Sequence, residues 1–84
     1  MDNLIGLVTH YYSKIGVAVV KVDKGTLAVG ETIKFKHGDK EFNQVVGSLE
    51  VERQPVGKIE TGEEAGMKVN DHVKEGWQVF KVVE

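Results

Sequence analysis

Between Thr32 and Lys36 the chain alternates strictly, with Ile33 and Phe35 set against Lys34 and Lys36. A period of two sends successive side chains to opposite faces, so this segment predicts a strand with one buried face, closed by a hairpin at His37-Gly38-Asp39-Lys40. Residues 16–22 carry a different pattern: Ala18, Val20 and Val22 share one face while Val17, Val19 and Lys21 take the other. Both faces are largely apolar, which predicts a central strand. Residues 4–12 read as the strand before it, joined through Ser13-Lys14-Ile15-Gly16. Asp23-Lys24-Gly25 supplies the next turn, and Leu27-Ala28-Val29 a short strand ahead of a second turn at Gly30-Glu31.

Residues 42–51 then predict one strand bent at Gly47, with Leu49 and Val51 inward and Glu50 and Glu52 outward. Arg53-Gln54-Pro55 is expected to break the ladder, because proline cannot donate to it. Thr61-Gly62-Glu63-Glu64-Ala65-Gly66 reads as a loop into Met67-Lys68-Val69, and residues 77–83 as the closing strand. Ten glycines and one proline leave no breaker-free stretch longer than residues 7–15 or 67–75. An interior glycine costs a helix about 1 kcal/mol and proline about 3, whereas strands of four to eight residues fit these intervals. The expected fold is all-β: a single domain over residues 1–84, a small closed Greek-key barrel of about six strands. Closure also removes the exposed edges of a small sheet.

With 84 residues, 40% of them hydrophobic, the chain can build one core and not two. It has no cysteine, which excludes disulfide scaffolds and Cys-based zinc ribbons. Met1-Asp2-Asn3-Leu4 lacks the basic segment and apolar run of a secretory signal, and no stretch approaches the ~20 apolar residues that span a bilayer. A cytoplasmic location with no membrane partner is expected.

The formal charge of -2 argues against a dedicated nucleic-acid binder, but its distribution is uneven. From His10 to Lys40 six lysines (14, 21, 24, 34, 36, 40) face three acids (Asp23, Glu31, Asp39), while from Glu41 to Gly66 six glutamates face only Arg53 and Lys58. The first half could attract an anion, or be an ordinary solvated face.

Few groups converge for chemistry. His10, His37 and His72 lie far apart in sequence, each near a turn, without the spacing of a metal site. Ser13 and Ser48 lack a nucleophile elbow, Glu63 and Glu64 diverge as loop neighbours, and no phosphate-cradling glycine motif precedes a Lys-Ser/Thr pair. The chain is expected not to be an enzyme and to take no cofactor, metal or nucleotide.

Recognition is the better expectation. Tyr11 and Tyr12 are consecutive, so one must leave the core face of an extended strand, where a ring could stack on a base or a partner side chain. With His10, Lys14, Lys34, Lys36, His37 and Lys40 it would form a basic-aromatic surface; the alternative is that it covers a neighbouring strand. Trp77, directly after Gly76, either stands partly exposed for a partner or closes one barrel end.

The run Ile5-Gly6-x-Val8-Thr9-His10-Tyr11-Tyr12-Ser13-Lys14-Ile15-Gly16-Val17-Ala18-Val19-Val20, then Gly25-Thr26-Leu27-x-Val29-Gly30-Glu31-Thr32-Ile33 and Gly62-Glu63-Glu64-Ala65-Gly66-Met67-Lys68-Val69, resembles the β-barrel second domain of translational GTPases such as elongation factor Tu. It is similar, more closely, to small stand-alone translation elongation factor-like proteins and to the C-terminal barrel of the U32 peptidase family. The resemblance spans residues 4–83 and implies a barrel without its GTPase domain. In elongation factors that barrel helps hold the aminoacyl end of transfer RNA, and several U32 members act in RNA modification. RNA or the translation machinery is therefore the implied partner, with a protein partner, such as a separately encoded U32-type enzyme, as the alternative. The elongation-factor loop reads Gly-Asp-Asn-Val-Gly where this chain has Gly62-Glu63-Glu64-Ala65-Gly66, and Trp77 stands where an acidic residue is common. Only the fold and the turn glycines carry over, and no site residue does.

Overall fold

The structure, a computed structural model, describes residues 2–82. Met1 and Val83, the last residue of the expected closing strand, lie outside them. Ten strands form: β1 (Asp2–Tyr12), β2 (Val17–Val22), β3 (Thr26–Ala28), β4 (Thr32–His37), β5 (Lys40–Val45), β6 (Leu49–Val51), β7 (Gln54–Val56), β8 (Lys58–Glu60), β9 (Glu64–Lys68) and β10 (Gln78–Val82). Among the described residues there is no helix, and so none long and apolar enough to cross a membrane.

Eight strands make one antiparallel sheet in the order β5-β4-β10-β1-β2-β9-β6-β7, with β3 and β8 paired as a separate ribbon. The all-β barrel-type class read from the sequence is the observed one, in more and shorter strands than the six expected. The ladders leave β5 and β7 unpaired with each other. The turn after β3 ties the two flanks instead: Val29 N–H donates to Gly57 C=O, and Gly30 N–H and Glu31 C=O both bond Val46, just past β5. The first and last strands are neighbours, with Asn3 opposite Lys81.

Strict alternation holds where it was read. Ile33 and Phe35 on β4, and Ala18, Val20 and Val22 on β2, are fully buried and join Val8, Leu27, Leu49, Ile59, Met67 and Val79 in one core. Strand β2 is central, between β1 and β9.

Three expectations are corrected. The loop read over residues 61–66 stops at Glu63, because Glu64, Ala65 and Gly66 already belong to β9 and pair with Lys21, Val20 and Val19 of β2. Residues 42–51 do not form one bent strand: β5 ends at Val45 and pairs with β4, whereas β6 begins at Leu49 and pairs with β9 and β7 on the other flank. Pro55 does not break the ladder either. It lies within β7, opposite Glu50, on the outermost strand, where a missing N–H is harmless. The reversal before it is a two-residue turn in which Glu52 and Arg53 both adopt positive φ, 50° and 66°. That is the geometry a type I′ hairpin needs, held here by residues with a Cβ.

Candidate functional site

Strand β1 carries two bulges, and they set which rings face where. Its register against β10 shifts at Ile5 and its register against β2 shifts at Thr9. Without the second bulge, Val8, His10 and Tyr12 would share the core face. With it, Val8 and Tyr11 turn inward, three residues apart, and His10 and Tyr12 turn out. His10 and Tyr12 stack on one another with centroids 6.3 Å apart, and His10 Nδ1 lies 3.7 Å from a Glu75 carboxylate oxygen. The first bulge requires glycine beside it: a Cβ on Gly6 would sit 2.0 Å from the Lys21 carbonyl oxygen.

Residues 69–77 cap the end of the barrel towards which β1 runs. Val69 N–H donates to Gly16 C=O at one end of this loop, and at the other Gly76 N–H donates to Val8 C=O while Val8 N–H donates to Trp77 C=O. Between these anchors Val73 plugs the core. Trp77 is 8% exposed, so it closes the barrel end rather than standing free. Its indole stacks under His37, 5.6 Å away and 12° from parallel, and lies 6.5 Å from Phe42, which packs on Phe35. The Tyr11 hydroxyl lies 3.1 Å from His72 Nδ1.

An open cleft of about 460 Å³ lies between the β4–β5 turn and this loop, lined by Asp39, Lys40, Glu41 and Phe42 on one side and Asp71, His72, Val73, Lys74 and Trp77 on the other. A roomier recess of about 630 Å³ at the opposite end is lined by Asn3, Leu4, Ile5, Lys24, Gly25 and Lys81, without an aromatic ring. Lys81 there is already engaged by Glu31.

Of the residues singled out from sequence, the structure gathers Lys40 and Trp77 at the first cleft, with Tyr11 joined to them through His72. Tyr12 and Lys14 lie at or beside the exposed β1–β2 tip, and Lys34 and Lys36 on the outer face of β4. The lysines do not form an unbroken basic stripe. Lys34 Nζ lies 4.0 Å from Glu41, Lys36 is the cross-strand partner of that same glutamate, and Lys21 is the partner of Glu64. The histidines, far apart in sequence, each meet the capping loop: His10 at Glu75, His37 at Trp77, and His72 within it. Each takes a different partner, and among the described residues no three metal-ligating side chains converge.

Sequence reasoning passed over Gln44, the one buried polar side chain among the described residues. Its amide donates to Lys68 C=O at 2.9 Å and accepts from Asn70 N–H at 2.8 Å, bridging β5 to the start of the capping loop where no backbone ladder runs. Its parity with Phe42 and Val46 was the available signal, hidden because glutamine is an outward residue in most strands.

Solved structures share this architecture, among them two of the C-terminal domain of a U32 peptidase from Geobacillus thermoleovorans. One aligns with a TM-score of 0.88 at 19% identity, covering 96% of this chain and 93% of that one. This chain has the fold of that domain. The selenomethionine variant of the domain aligns with a TM-score of 0.85 at 20% identity, over 94% of this chain and 99% of that one. At such identities the likeness to the U32 domain is one of fold. No family model and no curated protein matches the sequence.

Proposed function

We propose that this chain is a non-catalytic accessory domain that docks a protein partner at the barrel end carrying the Phe42–Trp77 cleft. The observation that carries this reading is the make-up of the cleft: an aromatic floor, and a rim where Asp39, Glu41 and Asp71 are set against Lys40 and Lys74. Protein interfaces combine aromatic anchors with a mixed polar rim, whereas a polyanion is held by a surplus of cations. The U32 domain of matching fold is one part of a larger protein, and service beside a separately encoded enzyme of that type fits the precedent. A non-catalytic role fits the side chains as well. Tyr11 and His72 are the only hydroxyl–imidazole pair within hydrogen-bond distance among the described residues, and no carboxylate is bonded to that imidazole to orient it.

The competing reading is an RNA-binding module with a translation-related or RNA-modifying context. It rests on the elongation-factor resemblance and on Lys14, Lys34, Lys36 and Lys40, and the glutamates interleaved with the β4 lysines favour the protein-docking reading over it.

A photo-crosslinking residue placed at Lys74, with Lys58 on β8 as control, separates the two in source cells expressing the full chain. The expected outcome is an adduct with one protein species from position 74 and none from position 58. Adducts with RNA alone would transfer the proposal to the competing reading, and no adduct at position 74 would overturn both.

A further inference from the structure

The eight-stranded sheet ends in two unlike edges. Strand β7 is three residues long and carries Pro55, both of which discourage another strand from pairing with it. Strand β5 runs six residues without a proline or a register shift against β4. The two-residue turn at its start, with Gly38 at φ 60° in the first place, has the type II′ signature that makes His37 and Lys40 a hydrogen-bonded pair. Bonded and non-bonded pairs then alternate, so Phe42 and Gln44 exchange bonds with β4, while Glu41, Asn43 and Val45 aim their N–H and C=O groups away from it. Among the described residues no backbone partner meets these outward groups. The first of them borders the cleft, whose floor is Phe42 and Trp77.

We infer that the partner segment taken by this site is an extended peptide that adds to the β5 edge, pairing with Glu41 and Asn43 and placing one large apolar side chain opposite Phe42, against Trp77. This rests on the protein-docking reading above and names the form of what docks. Cross-strand partners point to the same face, so the residue opposite Phe42 enters the cleft while its neighbours stay beside Glu41 and Asn43. Charge selects the same occupant. Asp39, Glu41 and Asp71 nearly balance Lys40 and Lys74, and Glu41 is turned to Lys34, which suits a neutral hydrogen-bonding backbone and not a phosphodiester chain. Shape points the same way: the cleft of about 460 Å³ is walled on its far side by residues 71–74, which leaves room beside β5 for one extended segment and its side chain.

The test uses the full chain, labelled for NMR, and a set of capped hexapeptides that alternate threonine and valine, with leucine, phenylalanine, tyrosine or tryptophan at one inward place. Saturable binding is expected below about 1 mM, with shifts at Glu41, Asn43 and Val45 and amide exchange there slowed about tenfold or more at saturation. Methylating the peptide nitrogens that face β5 should weaken binding about tenfold or more, because each methyl removes a hydrogen bond. Methylating the alternate nitrogens should not. No saturable binder in the set, equal binding of the two methylated forms, or a dimer of the chain paired through β5 would each overturn the proposal. Asn43→Pro removes one outward N–H and leaves the bonded pairs with β4 in place. If this variant folds and still crosslinks its protein from position 74 in full yield, strand addition fails while the docking reading stands; loss of that adduct in the variant supports strand addition.

Discussion

At the end of the barrel where β10 finishes, Lys81 shares a face with buried Ile33, and its ammonium lies 3.2 Å from both Glu31 and the Thr26 hydroxyl. The other carboxylate oxygen of Glu31 accepts the Ala28 N–H, and beside this group the Thr61 hydroxyl bonds both N–H and C=O of Gly25. At the cleft end the corresponding closure is made by rings, with His37 over Trp77, Phe42 against Phe35, and Tyr11 edge-on to His72. The difference is between contacts that consume their own bonding capacity and contacts that do not. A lysine bonded to a carboxylate and a hydroxyl has little left to offer a partner, whereas a stacked ring keeps a free face or edge. One end is finished and the other is ready to receive.

The largest expected effect falls on the strand that joins both ends. Gly6→Ala would drive a Cβ into the Lys21 carbonyl at the first bulge, and the surrounding atoms are backbone that cannot step aside. A loss of about 3 kcal/mol is expected, enough to lower the thermal midpoint by roughly 10–20 °C in a domain of this size. A normal thermal transition for the variant would mean that β1 does not need its bulge.

Next in size is Gln44→Leu, which keeps the volume but strands the Lys68 carbonyl and the Asn70 N–H. Both bonds are only partly buried, so their loss costs about 1–3 kcal/mol together, readable as a lower denaturant midpoint. A change under about 0.5 kcal/mol would remove the bridge from the account of how the barrel stays shut beside β5.

The smallest effects are expected at one residue from each pole. Glu31→Ala should destabilise by about 1 kcal/mol, less so in high salt, because Glu31 and Lys81 are only partly exposed but still screened. His37→Ala should cost about half as much or less, since only one face of Trp77 is uncovered. Should the histidine variant prove the weaker of the two, the cleft end is structural and the comparison is lost.

Hydrophobic parity was a reliable guide wherever each strand kept one register. Ile33 and Phe35 on β4 and Ala18, Val20 and Val22 on β2 are buried as their spacing indicated. It failed where register changed, because a bulge residue such as Thr9 has no distinguishing side-chain type, and so nothing marked Tyr11 rather than Tyr12 as the inward ring. The turn at Glu52 and Arg53 escaped for a related reason. Left-handed backbone is expected at glycine or asparagine, and here tertiary closure imposes it on two charged residues. Lys40 and Trp77 were singled out on separate grounds, one for charge and one for its ring; that they line one cleft with His72 and Phe42 is visible only once the fold brings those segments together. The lysine surface looked basic because a linear count cannot see that Glu41 lies opposite Lys36 and beside Lys34.

The antiparallel contact of the first strand with the last, Asn3 across from Lys81, has a practical corollary for anyone manipulating this molecule. Asp2 and Val82, the outermost described residues, are themselves partners at the Lys81 pole. A short linker between these two positions, with the chain reopened at the Ser13-Lys14 tip, would leave every strand intact, and a protein fused beside either position would lie at the pole away from the aromatic cleft.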